Sequence, residues 1–115
     1  MSAGGPGIPA VTDADWDARV LGGDTPVLVD FWAPWCAPCR KLEPALDDLS
    51  TRYAGRLSVV ALDVDDQPAV AGRYDVLTLP TLVLFAGGAP VARLTGAVKP
   101  ARIEAAVAAH LTDPD

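Results

Sequence analysis

The chain has 115 residues, 50% of them apolar and 21% charged, with a formal net charge of −6. This length and apolar content suit a single domain with its own core. The acidic excess disfavours nucleic-acid binding, because phosphate backbones are bound by clustered Lys and Arg. No apolar run approaches the roughly 18 residues that cross a bilayer. We therefore expect a soluble protein that contacts neither nucleic acid nor membrane.

The first seven residues are mostly small residues, Gly and Pro. They carry no Lys or Arg and lead into no apolar segment, so they do not read as a secretory signal, and a cytoplasmic location is favoured. We predict a flexible tail over residues 1–7 and one domain over residues 8–112. Ile8–Val11 is expected to form a short edge strand.

The first predicted helix runs from about Asp13 to Leu21. Thr12 and Asp15 have the spacing of a capping box at its start, and Gly22-Gly23 ends it. The run Pro26–Trp32 follows, and because its apolar residues do not alternate with polar ones, it predicts a central strand buried on both faces.

A long helix is predicted from Cys36 onwards. Its apolar residues recur at helical spacing, at Leu42, Ala45, Leu46, Leu49 and Tyr53. Leu57–Val64 is the next predicted strand. A short helix follows and ends near Tyr74, with capping residues and an early proline in the segment Asp65–Pro68.

Two strand-like runs, Thr81–Phe85 and Pro90–Thr95, are separated by Ala-Gly-Gly-Ala, which is typical of an antiparallel hairpin. Ile103, Val107 and Leu111 form the apolar stripe of a final helix. The order of elements predicts an α/β fold, with a mixed sheet of four to five strands and helices on both faces.

The two cysteines form the motif Cys36-Ala37-Pro38-Cys39. A bridge between them closes too short a loop to constrain the unfolded chain, so we expect a chemical role. Cys36 opens a helix, where the dipole and unpaired N–H groups favour a thiolate nucleophile. Cys39 lies one turn deeper, so we expect Cys36 to be the exposed attacking thiol and Cys39 the resolving one.

Two alternatives for the cysteine pair are an inert place in the core and half of a zinc site. Zinc needs about four ligands, and His110 is the one other strong ligand in the sequence. We therefore expect no metal.

Asp30 is an acid inside a run that must be buried in a central strand. Desolvation would raise the pKa of its carboxyl group, which would then accept the Cys39 proton, directly or through water. The alternative is a salt bridge at the strand end. Trp32, Pro34 and Trp35 are predicted to form an apolar rim for a partner segment, although Trp32 also suits the core.

The motif Trp35–Cys39, preceded by Val29–Ala33, resembles the thioredoxin family, and the resemblance extends from about Thr12 to Leu111. Further matching positions are the helix-bending Pro44, Asp63-Val64-Asp65, Leu79-Pro80-Thr81 and Gly96. The resemblance implies a thioredoxin fold and a protein-disulfide reductase.

The resemblance also implies a substrate groove. In it, Pro80 follows a cis peptide bond and faces the cysteines, and the backbone at Leu79 pairs with an extended client segment. Trp35, Gly96 and Ala97 are the other implied substrate-binding residues. The family resemblance further implies no bound cofactor, recycling by an NADPH- and FAD-dependent thioredoxin reductase, disulfide-containing client proteins as partners, and a monomer.

Two departures from the family pattern bear on redox tuning. Ala37 stands where glycine is usual, and Ala61 where many members have a lysine near the buried acid. Without that cation we expect Asp30 to be harder to ionise. Ala37 and Pro38 are predicted to tune the redox balance, and a proline rather than a histidine before Cys39 favours an electron donor. A disulfide oxidase or isomerase and a noncatalytic docking subunit are the alternatives.

Overall fold

The computed structural model describes residues 8–96 and 98–111. The predicted tail, Ala97 and residue 112 at the predicted domain end lie outside the described residues. The elements, in chain order, are β1 (Val27–Trp32), α1 (Ala37–Arg52), β2 (Ser58–Asp63), α2 (Pro68–Arg73), β3 (Thr81–Ala86), β4 (Ala89–Thr95) and α3 (Pro100–His110), with a π-helical turn at Asp17–Leu21 before β1. In the described part of the chain, no helix has the length and apolar character needed to cross a membrane.

The four strands form one mixed sheet in the order β2-β1-β3-β4. β1 is parallel to β2 and antiparallel to β3, and β3 and β4 form an antiparallel hairpin. All six residues of β1 are buried, as expected for a central strand. The predicted α/β class, mixed sheet and hairpin are confirmed.

Both faces of the sheet are covered, as predicted. Val27, Val29 and Phe31 pack on one face with Trp16 of the N-terminal segment and Val70 of α2. The alternate residues of β1 point to the other face. There Leu28 and Trp32 pack with residues of α1 and α3, and both cysteines belong to this second cluster.

The expected edge strand at Ile8–Val11 is reduced to a single bridge, between Ala10 and Ala61 of β2. The Ala61 amide donates to the Pro9 carbonyl at 2.9 Å, and the Val11 amide donates to the Ala61 carbonyl at 2.8 Å. Pro9 has no N–H group, so it cannot donate a further ladder hydrogen bond.

The first helix is shorter than predicted, because residues 13–15 form a turn and the π-helical turn covers only Asp17–Leu21. The capping box itself is present. The Thr12 amide donates to the Asp15 carboxylate at 2.7 Å, and the Asp15 amide donates to the Thr12 hydroxyl at 3.1 Å.

The cap of α2 comes from a distant residue and not from the segment Asp65–Pro68. Gln67, the residue before α2, makes no side-chain capping bond. Instead the Asp13 carboxylate accepts hydrogen bonds from the amides of Ala69 and Val70, at 3.2 and 3.0 Å. These bonds hold residue 13 against α2, which explains why the first helix begins later than its sequence predicts.

Candidate active site

Four loops meet at one edge of the sheet. The parallel strands β1 and β2 both end at this edge. β3 is antiparallel to β1 and therefore begins there, and β4 is antiparallel to β3 and therefore ends there. The amide of Val64 donates to the carbonyl of Trp32, and the amide of Gly96 donates to the carbonyl of Pro80, both at 2.9 Å. The carboxyl ends of parallel strands are a common position for sites in α/β proteins.

Cys36 and Cys39 form a disulfide at this edge, with their Cα atoms 5.3 Å apart. Cys36 is the N-cap residue of α1, and its Sγ accepts a hydrogen bond from the Cys39 amide at 3.2 Å. A sulfur therefore occupies the place of the usual capping oxygen. After reduction, the same amide and the helix dipole would stabilise negative charge on the Cys36 sulfur.

The expected exposure of Cys36 is wrong for this oxidised state. Cys36 is 4% exposed and Cys39 is 1% exposed, so both are buried, although in the predicted order. Each sulfur is covered partly by the other. The amide of Cys36 also donates to the carbonyl of Ala33 at 3.0 Å, which folds the preceding loop back against the pair.

Asp30 lies between Val29 and Phe31, which both point to the face of the sheet away from the cysteines. Because side chains alternate along a strand, Asp30 lies on the same face as the cluster that contains Cys36 and Cys39. Burial raises the pKa of its carboxyl group to about 7, and the negative charge of Glu43 in α1 adds to the effect. Neither carboxyl oxygen has a hydrogen-bond partner among the described residues.

The alternative reading of Asp30, a salt bridge at the strand end, is therefore wrong for the described residues. Ala61 lies directly opposite Asp30 in the parallel pair β1–β2, so the missing lysine leaves no cation at that position. The direction of the pKa shift agrees with the expectation that Asp30 is hard to ionise.

The apolar rim is smaller than predicted, because Trp32 is 8% exposed and packs in the core. Trp35 is 68% exposed, and its indole Nε1 donates to the Asp65 carboxylate at 2.8 Å. The sequence did not indicate this contact. The one available signal was that Asp65 comes just after β2, at the edge where the loops meet. Arg40, also unpredicted, donates to the carbonyl of Pro34 at 2.7 Å.

The other expected site residues lie in three of the converging segments. The Leu79–Pro80 bond is cis, as the resemblance implies, and Leu79 is half-buried. Gly96 has φ 80°, a conformation that favours glycine. Ala37 and Pro38 are exposed in the first turn of α1, where a proline N–H is not needed. Among residues 8–96 and 98–111, no three His, Cys, Asp or Glu side chains are grouped to hold a metal ion.

Comparison with known proteins adds a family to this geometry. The family model described as Thioredoxin matches residues 7–109. Thioredoxin 1 of Nostoc sp. (strain PCC 7120) is 43% identical over 101 residues, covering 88% of this chain and 94% of the relative. A chloroplastic thioredoxin M-type of Brassica napus is 44% identical over 92 residues, covering 80% of this chain and 52% of the relative.

A third relative is a longer protein, the bifunctional thioredoxin reductase/thioredoxin of Mycobacterium leprae. It is 47% identical over 87 residues, covering 76% of this chain and only 19% of the relative.

Proposed function

The chain belongs to the thioredoxin family, and we propose that its Cys36–Cys39 pair donates electrons to the disulfides of client proteins. The chain is a thiol–disulfide oxidoreductase of the protein-disulfide reductase type. The observation that carries the proposed roles is the hydrogen bond from the Cys39 amide to the Cys36 sulfur at the start of α1. It supports Cys36 as the thiolate and Cys39 as the thiol that keeps its proton.

The first step is attack by the Cys36 thiolate on one sulfur of the client disulfide. A new bond forms between Cys36 and that sulfur. The client disulfide breaks, and the second client sulfur leaves as a thiolate that takes a proton from water. The protein and client are then joined by a mixed disulfide.

In the second step, Cys39 loses its proton to the Asp30 carboxylate, directly or through water, and attacks the Cys36 sulfur. The Cys36–Cys39 disulfide forms as the bond between Cys36 and the client sulfur breaks, and that sulfur leaves as a thiolate that takes a proton from water, which gives the client its second thiol. The client gains two electrons and the protein loses two. A pKa of about 7 allows Asp30 to accept a proton at neutral pH, because a useful fraction of the group is ionised there.

Client binding is proposed for the converging loops. Trp35 offers an exposed ring, the backbone at Leu79 beside Pro80 would pair with an extended client segment, and Gly96 and Ala97 would complete the groove. Ala37 and Pro38 stiffen the first turn of α1, so we propose that they adjust the balance between dithiol and disulfide.

The oxidised protein must be reduced again by an outside donor, since the thiol pair holds only two electrons. We propose an NADPH- and FAD-dependent thioredoxin reductase as that donor, and the relative that combines a thioredoxin reductase with a thioredoxin supports the pairing. The chain itself would need no bound cofactor. A monomeric domain over residues 8–112 after a flexible tail, and a cytoplasmic location, are further proposals. A chloroplastic relative shows that family members occupy other compartments.

The test is reduction of insulin disulfides with dithiothreitol as electron source, with the redox potential measured by glutathione equilibration. Wild-type activity that is lost in Cys36→Ser, and a potential near the −270 mV typical of thioredoxins, would support the proposal. Cys39→Ser should accumulate mixed disulfides with clients, because attack proceeds and resolution does not.

A much more oxidising potential would instead indicate a disulfide oxidase or isomerase. If the wild-type protein reduces no disulfide, and client binding survives Cys36→Ser, the chain would be a noncatalytic docking subunit.

A further inference from the structure

Leu77 is the most exposed large apolar side chain in the described part of the chain, at 92%. Only two others there count as exposed, namely Trp35 at 68% and Val91 at 37%. Single exposed apolar residues are common on protein surfaces, so position decides whether one has a meaning. Trp35 and Leu77 both belong to loops at the active-site edge, whereas Val91 follows the hairpin turn at the opposite end of β4.

The loop that carries Leu77 is held at both ends. The Arg93 guanidinium donates to the carbonyls of Tyr74 and Asp75, at 2.6 and 2.7 Å. At the other end, the Thr81 hydroxyl donates to the Thr78 carbonyl at 2.5 Å. The exposure of Leu77 therefore belongs to a loop whose backbone is fixed on either side of it.

This loop leads directly to the disulfide region. Thr81 pairs with Phe31 at the end of β1, and the chain reaches Cys36 only five residues after Phe31. Leu77 precedes Thr81 by four residues, a reach of no more than about 14 Å for an extended chain. Leu77 lies two residues before Leu79, whose backbone is proposed above to pair with the client, so a client segment seated there would pass beside Leu77.

We propose that Leu77 is a specificity-determining residue, which packs against an apolar side chain of the client located about two to three positions from the reactive cysteine. This inference rests on the proposed disulfide reductase function. The preferred client is an extended peptide segment with Leu-like residues beside its disulfide. The driving force is removal of both apolar side chains from water, which occurs only when the client supplies an apolar partner.

The test uses two synthetic peptide disulfides that differ only beside the cysteine, one with Leu and one with Ser at about two to three positions from it. The values of kcat/KM are measured for wild type, Leu77→Ser, Leu77→Met and Val91→Ser. Val91→Ser is the matched control, because it removes an exposed apolar side chain far from the site. Reduction of hydroxyethyl disulfide, which is too small to reach Leu77, reports on the thiol chemistry alone.

We expect wild type to prefer the Leu peptide by about fivefold, through a lower KM. Leu77→Ser should bring the two peptides to near parity, Leu77→Met and Val91→Ser should keep the preference, and all variants should reduce hydroxyethyl disulfide equally. No preference in wild type, or an equal loss for both peptides in Leu77→Ser, would overturn this inference and leave the reductase function standing. If wild type reduces neither peptide and does not reduce hydroxyethyl disulfide, the inference on Leu77 and the proposed reductase function are both overturned.

Discussion

The indole Nε1 of Trp35 donates a hydrogen bond to Oδ2 of Asp65 across 2.8 Å. Trp35 precedes the disulfide on the loop after β1, and Asp65 lies just beyond the end of β2. The bond therefore joins two of the loops that meet at the active-site edge. It fixes the orientation of a ring that is otherwise largely exposed, since 68% of Trp35 is accessible.

Asp65→Ala should free the Trp35 ring. We expect the indole N–H resonance of Trp35 to move upfield and to exchange faster with water, because its acceptor is gone. The kcat/KM for insulin should fall by about threefold, as a mobile ring must be ordered again when a client binds. Asp66→Ala, at the neighbouring exposed acid, is the control. An unchanged indole resonance in Asp65→Ala would show that the bond is not formed in solution.

The stability of the oxidised protein should depend on pH through Asp30. Burial raises the pKa of this carboxyl group to about 7, whereas an unfolded chain has the ordinary value of about 3.9. The unfolded state thus loses the proton first as pH rises. The free energy of unfolding should therefore fall between about pH 4 and pH 7 and then level, with a total contribution of about 4 kcal/mol.

This dependence can be isolated by comparing denaturant unfolding of wild type and Asp30→Asn at acid and mildly alkaline pH. Groups common to both proteins cancel in the difference. We expect Asp30→Asn to gain stability relative to wild type as pH rises, by about 4 kcal/mol over the whole range. Parallel pH profiles for the two proteins would show that Asp30 is not titrating as a buried acid.

Much of the fold followed from the sequence because its signals are local. The apolar run of β1, interrupted only by Asp30, the stripe of α1 and the Gly87-Gly88 turn each predict one element without reference to the rest of the chain. Both turn glycines have positive φ, 62° and 81°, as the type I′ turn of two-residue hairpins requires.

The errors came from contacts between distant residues. Asp13 caps α2 from more than 50 positions away. No local pattern in the sequence could therefore show that Asp13 would bind α2 and not begin the first helix. The burial of Cys36 and Trp32 likewise depends on which segments fold over them. Asp30 was identified as an unusual acid, but the neighbouring charge of Glu43 became visible only when α1 was placed on the sheet.

The proposed base should also control the release of clients from the mixed disulfide. In Asp30→Asn, the second step should slow by about 10²-fold, because no protein group then takes the Cys39 proton. Wild-type resolution should speed up as pH rises through about 7, where Asp30 ionises. The measurement is the rise and decay of the mixed disulfide after rapid mixing of the reduced protein with a client disulfide, followed by acid quench and mass spectrometry.

Glu43→Gln separates a base from a merely structural acid. The negative charge of Glu43 contributes to the raised pKa of Asp30. Removing that charge should move the midpoint of the pH profile of the resolution rate to lower pH. A midpoint unmoved by Glu43→Gln, or a resolution rate unchanged in Asp30→Asn, would exclude Asp30 as the proton acceptor.

Arg93 is predicted to act on clients through the loop that it holds. Arg93→Met removes both hydrogen bonds to the carbonyls of Tyr74 and Asp75, so the amides of residues 75–79 should exchange about fivefold faster with solvent. Reduction of insulin should slow, because a looser loop must be ordered when a client binds, while hydroxyethyl disulfide should be reduced at the wild-type rate. Arg93→Lys should recover part of the effect, since an ammonium group still donates but lacks the guanidinium fork.

Arg56→Met is the matched control for this variant, because Arg56 is an exposed arginine just before β2, at the opposite end of that strand from the active-site edge. It should leave both the exchange of residues 75–79 and the insulin rate unchanged. If Arg93→Met loosens the loop without slowing insulin reduction, client binding does not depend on the fixed backbone at residues 75–79. Slower reduction of both insulin and hydroxyethyl disulfide would instead place the effect of Arg93 at the thiol pair itself, because the small disulfide makes no contact with the loop.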